Sequence, residues 1–313
     1  MYHNVAQFLF QWLLLCSWSL ARHDCCGSDV SPGLAVGALL QLVPNRGSIS
    51  IGRSMRADSI TATHGSSSHD HERRKLKRTN HDDICSCRIE AILQRERGVQ
   101  FVLGSDETGR GAIAGPLVAA TCCVLIPDLQ SAIENKSFVP IQGVNDSKLL
   151  TEQEKWNIYD AIQARPHEYA WKSATISPNQ IDESNIQQAN MEGLRQSIEG
   201  LVHSYGLSPT DSYAIVDGKK SPKLSPELNG VLKCRPWVRG DIEVYTVALA
   251  SIVAWVTFEK IMTEQAHAQF PMYNFKENKG YPSQAHVQSI HEYGPCEWHR
   301  QSVKPVKKRN TST

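Results

Sequence analysis

The chain has 313 residues, of which 41% are hydrophobic and 21% are charged, and its formal net charge is +1. This composition is ordinary for a globular protein with a sizeable core, which excludes a chain too polar to fold. The length allows one large domain with a tail or two small domains, and the small net charge does not identify a partner.

The N-terminal residues 1–80 lack the pattern of a packed domain. Residues 8–21 are an apolar stretch too short to span a bilayer comfortably, and the Ser-Leu-Ala at 19–21 resembles a signal-peptidase site. Residues 22–64 have the composition of a transit peptide. We therefore expect a targeting or disordered extension that directs the chain to a plastid or a mitochondrion, with no stable membrane span in the mature protein. The alternative is a protein of the cytoplasm or nucleus whose N-terminus is wrongly assigned.

The cysteines do not have the pattern of a disulfide framework. Their number is nine, which is odd, and several are sequence neighbours, such as Cys122 and Cys123. Cys85 and Cys87 lack the second pair that a zinc site needs. We expect a reducing compartment and no structural disulfides.

Strands and helices alternate along the rest of the chain. Residues 81–98 predict a linker and a short lead-in helix, because Ile89, Ile92 and Leu93 recur at helical spacing. Strands interrupted by helices predict an α/β domain whose site lies at one edge of the sheet. The predicted strands are 100–105, 117–126, 169–176, 212–216 and 231–238, and the predicted helices are 151–164, a short one starting at 177–178, 185–204 and 242–268.

One stretch combines acids with a glycine-rich turn. An apolar run ends at Asp106 and Glu107, and Gly109-Arg110-Gly111 follows. Asp and Glu are poor strand residues, so the strand is predicted to end before them. Neighbouring strand residues point to opposite faces, so adjacent carboxylates serve one site only where the chain turns. Acids beside a loop that lets the backbone approach a ligand indicate metal-dependent phosphodiester chemistry.

Two further acids fall where predicted elements end or begin. Asp217 ends the fourth strand and Asp241 opens the long helix. Either one alone has a simpler explanation, Asp217 as a turn residue and Asp241 as a helix cap. Converging carboxylates raise one another's pKa, so these two together with Asp106 and Glu107 are expected to hold divalent ions. Oxygen ligands suit Mg²⁺ or Mn²⁺, and two ions about 3.5–4 Å apart can promote phosphodiester displacement.

Seven motifs in this order resemble those of ribonuclease HII, the bacterial form of type 2 ribonuclease H. The resemblance covers about residues 99–306, roughly two thirds of the chain. The motifs are Asp106-Glu107-Thr108-Gly109-Arg110-Gly111 with Ala114-Gly115-Pro116, Asp146-Ser147-Lys148, Ile181-Asp182-Glu183-Ser184-Asn185-Ile186, Val216-Asp217-Gly218, Gly240-Asp241 with Ala248-Leu249-Ala250-Ser251-Ile252, Lys279-Gly280-Tyr281, and His299-Arg300-Gln301-Ser302.

The resemblance implies an α/β ribonuclease H-like fold, with a central mixed five-stranded sheet flanked by helices and a C-terminal helical portion. The catalytic domain would be residues 99–306, followed by a basic tail at 307–313. The implied enzyme is a monomer that hydrolyses the RNA strand of RNA–DNA hybrids. It would also cut 5′ of single ribonucleotides embedded in duplex DNA, leaving 5′-phosphate and 3′-hydroxyl ends, as in RNA primer removal and ribonucleotide excision repair.

The resemblance also implies roles for individual residues. Tyr281 would stack on the sugar at the RNA–DNA junction, and Lys148 would contact a phosphate. Taken alone, a tyrosine in a turn or a lysine at a helix start is more often structural. Two divalent ions, Mg²⁺ or Mn²⁺, would be held by the four acids Asp106, Glu107, Asp217 and Asp241. The 2′-hydroxyl that distinguishes RNA from DNA would be recognised by the loop residues Gly109, Arg110 and Gly111.

Two positions in the long helix depart from the family. Where the family usually has cations, this chain has Trp255 and Phe258. This change weakens contact with a nucleic-acid backbone or marks local repacking, and the sequence leaves both open. His299 and Arg300 have two equally good interpretations: they close the end of the domain, or they have a role in the site. The rival functions are a catalytically weak nucleic-acid-binding module on the same fold and another nuclease of the ribonuclease H-like superfamily.

Overall fold

The computed structural model describes residues 86–309, so the predictions for residues 1–80 lie outside the described part. The strands are β1 Phe101–Thr108, β2 Leu117–Val124, β3 Tyr169–Ile176, β4 Ser212–Asp217 and β5 Lys233–Trp237. They form one five-stranded sheet in the order β3-β2-β1-β4-β5. The predicted mixed five-stranded sheet is confirmed.

The sheet changes from antiparallel to parallel pairing at β1. Strand β2 pairs antiparallel with β1 and β3, whereas β4 runs parallel to both β1 and β5. Ser105 is level with Val216 in this register, which places the next residues, Asp106 and Asp217, side by side. The carboxyl ends of β1 and β4 therefore lie at the same edge of the sheet, where α/β folds commonly carry their sites.

Helices cover both faces of the sheet, and β2 shows the consequence. Val118 and Ala120 belong to one apolar cluster, and the alternating Ala119 and Cys123 belong to the other. All of β2 is buried, which is why its sequence is a continuous apolar run. The helices are α1 Arg88–Arg97, α2 Leu129–Glu134, α3 Glu152–Gln163, α4 Pro178–Glu183, α5 Ile186–Tyr205, α6 Gly240–Glu243, α7 Tyr245–Lys260, α8 His267–Gln269, α9 Phe275–Asn278 and α10 Gln284–Tyr293.

The long helix predicted at 242–268 is interrupted. Helix α6 ends before Val244, which is extended with φ −122° and ψ 118°, and α7 then starts. After α7 the chain forms a π-helical segment at Ile261–Ala266 and then α8. The first ten residues of α7 are all buried. A helix buried on every side lacks the alternation of apolar and polar residues that a half-exposed helix shows, so its sequence does not mark where it begins and ends.

Helix α7 is the central helix of the core. Together with the segment that follows it, Tyr245–Gln269 is long and apolar enough to cross a membrane, but 72% of its most apolar stretch is buried inside the fold. Helix α1 packs against it: Glu90 is 1% exposed and accepts hydrogen bonds from the main-chain N–H of Thr246 at 2.8 Å and from its hydroxyl at 3.0 Å. Helix α1 is thus part of the same core.

The cysteines of the described part form no disulfide bonds with one another; they are Cys87, Cys122, Cys123, Cys234 and Cys296.

Candidate active site

The two acids of β1 lie within the strand. The strand continues past Asp106 and Glu107 because its pairing with β2 continues, so the prediction that it ends before them is wrong. The carboxylates point to opposite faces, with Asp106 hydrogen-bonded to Ser251 of α7 and Glu107 to Asn190 of α5. The negative charge of Asp217 nevertheless acts on both. The edge of the sheet therefore brings the acids together without a turn between them.

The electrostatics of this cluster favour a bound cation. Burial raises the pKa of Asp106 well above its ordinary value, and the charges of Glu107 and Asp217 raise it further. Burial also raises the pKa of Glu107, although Arg110 opposes this with an Nη1 that lies 3.0 Å from Glu107 Oε1. Like charges this close resist full ionisation unless a cation compensates them.

The short helix α6 places Asp241 beside Asp217. Arg239, with φ 66°, turns the chain into α6, and the main-chain N–H of Gly240 donates to Asp217 Oδ1 at 2.8 Å. Burial raises the pKa of Asp217, and the charge of Asp241 adds to the effect. The prediction that Asp241 opens the long helix is therefore wrong, because Asp241 lies in a separate one-turn helix.

Lys148 reaches this group of acids from the loop before α3. Its Nζ lies 2.9 Å from Asp241 Oδ2 and 3.7 Å from Asp146 Oδ1. Burial opposes the charge of Lys148, but its contacts with Asp241 and Asp146 outweigh burial and raise its pKa. The lysine stays charged and partly neutralises the acids, while most of its side chain remains accessible to solvent, with 76% exposed.

The glycine-rich loop between β1 and β2 lies next to Tyr281. Gly109 has φ +84°, and a Cβ on it would lie 2.7 Å from the Pro116 carbonyl oxygen, so the tight turn requires glycine. A Cβ on Gly111 would lie 3.7 Å from Tyr281 Cε1. Tyr281 is 40% exposed, and Arg110 projects from the same loop. The loop and the tyrosine thus form one surface beside the acids.

Phe258 supports this surface from below. It is 2% exposed, its ring is edge-on to Tyr281 with centroids 6.3 Å apart, and it lies under Gly109. Trp255 has a different neighbour, since Lys155 Nζ lies 4.2 Å from the centroid of its ring. The aromatic residue at position 258 therefore reflects local repacking of the core. This explains one of the two departures from the family, that at Phe258, which the sequence left open.

Comparison with known proteins identifies the family. Residues 103–308 match the family Ribonuclease HII. The chain belongs to the ribonuclease HII family. It is 36% identical to ribonuclease HII of Burkholderia cenocepacia over 208 residues, which are 66% of this chain and 85% of that protein. It is 38% identical to ribonuclease HII of Saccharopolyspora erythraea over 212 residues, 68% of this chain and 82% of that protein.

A solved structure shares the fold of this ribonuclease HII family member. Bst-RNase HIII in complex with Mn²⁺ aligns with a TM-score of 0.51 and 18% identity, covering 70% of this chain and 71% of that chain. The family membership makes the chain a ribonuclease H, a hydrolase that acts on RNA–DNA hybrids. The predicted enzyme class and ribonuclease H-like fold are confirmed.

The chemistry of the acids fits a divalent cation. Carboxylate oxygens are the ligands that Mg²⁺ and Mn²⁺ prefer, and burial, together with the charges of neighbouring acids, raises the pKa values of Asp106, Glu107 and Asp217. Within residues 86–309, no three Asp, Glu, His or Cys side chains already surround one point as in a closed metal site. Lys148 contacts Asp241 at 2.9 Å, so the side chain of Asp241 is paired with a cation of the protein itself.

Sequence reasoning did not select four residues that orient these acids or Lys148. Ser147 Oγ lies 2.8 Å from Ser251 Oγ, and Ser251 in turn hydrogen-bonds with Asp106. Asp146 is 8% exposed and its Oδ1 accepts from the main-chain N–H of Lys148 at 2.9 Å. Ser147 and Asp146 stand in one motif quoted from the sequence and Ser251 stands in another, so these motifs are the signals that could have identified them. Asn190, the partner of Glu107, carries no such signal.

Proposed function

We propose that this ribonuclease H depends on divalent cations held by Asp106, Glu107, Asp217 and Asp241, and that it also cuts 5′ of single ribonucleotides embedded in duplex DNA. The products would be 5′-phosphate and 3′-hydroxyl ends. The observation that supports the proposal is the electrostatic coupling of these acids beside the glycine-rich loop: the charge of Asp217 acts on Asp106 and Glu107, and the charge of Asp241 acts on Asp217.

The acids act by holding cations at the carboxyl ends of β1 and β4. Two Mg²⁺ or Mn²⁺ ions, when bound, would activate the attacking water and stabilise the leaving 3′-oxygen. Ser251 and Asn190 orient Asp106 and Glu107 through hydrogen bonds. The exposed ammonium of Lys148, already drawn towards the acids by Asp241, is positioned to contact a substrate phosphate.

The loop and Tyr281 select the ribonucleotide. Gly109, Arg110 and Gly111 bring main chain close to the substrate, where it can sense the 2′-hydroxyl that distinguishes RNA from DNA. The half-exposed ring of Tyr281, next to Gly111, offers a flat apolar surface for the sugar at the junction. Recognition and cleavage are thus adjacent, which fits a cut beside the recognised ribose.

The test is cleavage of a DNA duplex that carries one ribonucleotide. We expect a single cut on the 5′ side of the ribonucleotide with Mg²⁺ or Mn²⁺, no cut with chelator, and loss of the cut in Asp106→Asn. Tight binding without a cut by well-folded wild-type protein would favour the catalytically weak binding module. Cleavage of an all-DNA duplex at an equal rate would favour a general nuclease of the same superfamily.

The cellular role follows from the location of the protein. The composition of residues 1–80 supports import into a plastid or mitochondrion, where a monomeric enzyme would remove RNA primers and start ribonucleotide excision repair; cytoplasm or nucleus is the alternative. Imaging residues 1–80 fused to a fluorescent reporter tests the location. Light scattering of the purified protein tests the monomer.

A further inference from the structure

Arg300 is a buried cation surrounded by main-chain carbonyls of a single loop. Its side chain is 0% exposed. An arginine has five N–H donors in a rigid planar arrangement, and all five are used here. Nε donates to Gly115 at 2.9 Å; Nη1 to Ala112 at 2.8 Å and Arg110 at 3.4 Å; Nη2 to Gly109 at 2.7 Å and Pro116 at 2.7 Å.

These five acceptors belong to the loop that carries the Gly-Arg-Gly motif. The loop, residues 109–116, wraps around the guanidinium with its carbonyls turned inward. The main chain of the C-terminal segment adds to this grip, since the N–H of Arg300 donates to Ile113 at 2.9 Å and the N–H of Gly115 donates to Trp298 at 2.7 Å. The conformation of the loop therefore depends on a residue 191 positions away from Gly109.

The neighbouring residue, His299, leads to Tyr281. His299 Nδ1 accepts from the main-chain N–H of Cys296 at 3.0 Å, and its Nε2 lies 3.1 Å from Nε2 of His286. His286 Nδ1 lies 2.8 Å from the carbonyl oxygen of Tyr281. Burial lowers the pKa of both histidines, that of His299 to about 4, so both are neutral near pH 7. Only one placement of the ring protons gives every hydrogen bond in this series a donor and an acceptor. In it, His299 donates from Nε2 to Nε2 of His286, and His286 donates from Nδ1 to the carbonyl oxygen of Tyr281.

We infer that Arg300 is a positioning residue for ribonucleotide recognition: its guanidinium holds the 109–116 loop in the conformation that senses the 2′-hydroxyl, and the adjoining His299–His286 pair holds Tyr281 against that loop. This inference rests on the proposed function, because it assumes that the loop and Tyr281 read the ribose. It assigns a role in the site to His299 and Arg300, whose sequence motif was explained equally well by closure of the domain.

The test measures discrimination rather than activity. In an Asp106→Asn background, which prevents cleavage, the affinity for a duplex with one ribonucleotide is divided by the affinity for the matching all-DNA duplex. This ratio does not change when part of the protein is unfolded, because both affinities scale with the same active fraction. Arg300→Lys keeps the charge but has three donors, which leaves at least two carbonyls without a partner. We expect the ratio to fall by about 10-fold or more, as small displacements of a positioned group commonly cause.

Three further variants test the His299–His286 pair and the specificity of the effect. His286→Leu removes the donor to Tyr281 and is expected to lower the ratio, whereas His286→Asn, which can place an N–H near the position of Nδ1, is expected to restore much of it. Arg165→Lys is the matched control. Arg165 Nη2 also donates to a main-chain carbonyl, that of Val139 at 2.7 Å, but it lies outside the proposed site, so the ratio should not change.

Hydrogen exchange gives a readout without substrate. Faster exchange of the amides at 109–115 in Arg300→Lys, with the amides of α5 unchanged, supports the inference. If the affinity ratio of the Asp106→Asn protein is well above one and stays unchanged when Arg300→Lys or His286→Leu is added, the positioning role is overturned and the proposed function stands. If the affinity ratio of the Asp106→Asn protein is one and the wild-type protein cuts no ribonucleotide-containing duplex, the proposed function is overturned and the positioning role with it.

Discussion

Asp217 holds the segment that carries Asp241. The last residue of β4 accepts a hydrogen bond at 2.8 Å from the main-chain N–H of Gly240, and the charge of Asp241 raises the pKa of Asp217 in return. One contact thus positions the second acid and creates the repulsion that a cation relieves.

Asp106→Asn should separate activity from stability. We expect cleavage to fall by at least about 10²-fold, the size of effect seen when one strong electrostatic contact to a transition state is lost. The metal-free protein should become more stable by on the order of 1 kcal/mol, because the substitution removes a buried carboxyl whose pKa is raised by its neighbours. Single-turnover cleavage and urea unfolding in chelator measure the two effects. A variant that loses both activity and stability would indicate a structural role.

Lys148→Met should affect substrate binding more than stability. The ion pair with Asp241 is largely open to solvent, with 76% of the lysine side chain exposed, so its loss should change the free energy of unfolding by less than about 1 kcal/mol. We expect KM to rise and its salt dependence to weaken, because a phosphate contact is lost. Lys172→Met on β3 serves as a control for loss of a charge elsewhere. An unchanged KM at low salt would exclude a phosphate contact.

Gly109→Ala and Gly111→Ala should differ in kind. At Gly109 the left-handed φ and the nearby Pro116 carbonyl oxygen leave no room for a Cβ, and we expect a loss of about 1–3 kcal/mol in the free energy of unfolding. At Gly111 a Cβ makes an ordinary contact with Tyr281, so stability should stay within about 0.5 kcal/mol. Its kcat/KM on ribonucleotide-containing duplex should still fall, because the added methyl group occupies the substrate surface. Equal stability of both variants would contradict this geometry.

Phe258→Arg should not restore a contact with nucleic acid. The ring is 2% exposed and lies under the loop and Tyr281, so a charged group placed there would be buried. We expect a loss on the order of 3 kcal/mol in thermal or urea unfolding. Phe258→Leu is the control and should cost less, about 1–2 kcal/mol, because it keeps an apolar side chain. A stable Phe258→Arg protein with tighter substrate binding would show that the position faces the substrate.

The stability of the C-terminal segment should depend on pH through His299. Its pKa is lowered by burial from 6.5 to about 4, so below pH 6.5 the unfolded chain takes up a proton that the folded protein excludes. Stability should therefore fall as the pH falls from 6.5 towards 4, by on the order of 2 kcal/mol. The measurement is urea unfolding of wild type and His299→Gln at both ends of this range. The difference between the two proteins should shrink at low pH, and a constant difference would contradict the assignment.

The sequence by itself determined the family and the order of the five strands, and it supplied the candidate acids. These features are local: an apolar run before Asp106, a glycine that must turn the chain at 109, and motifs whose residues are close neighbours. The alternation of strands and helices was readable for the same reason, since side-chain periodicity depends on each element alone. The end of β1 was not readable from the sequence, because pairing with β2 outweighs the poor strand propensity of the two acids.

Tertiary structure alone decided which residues meet. Lys148 and Asp241 are 93 positions apart, and Arg300 is 184 to 191 positions from the carbonyls that surround it. No local pattern encodes such contacts, because they depend on how the sheet and α7 pack. The break at Val244 and the burial of Phe258 have the same origin: a helix buried on every side loses the polar stripe that would mark its ends and its exposed face.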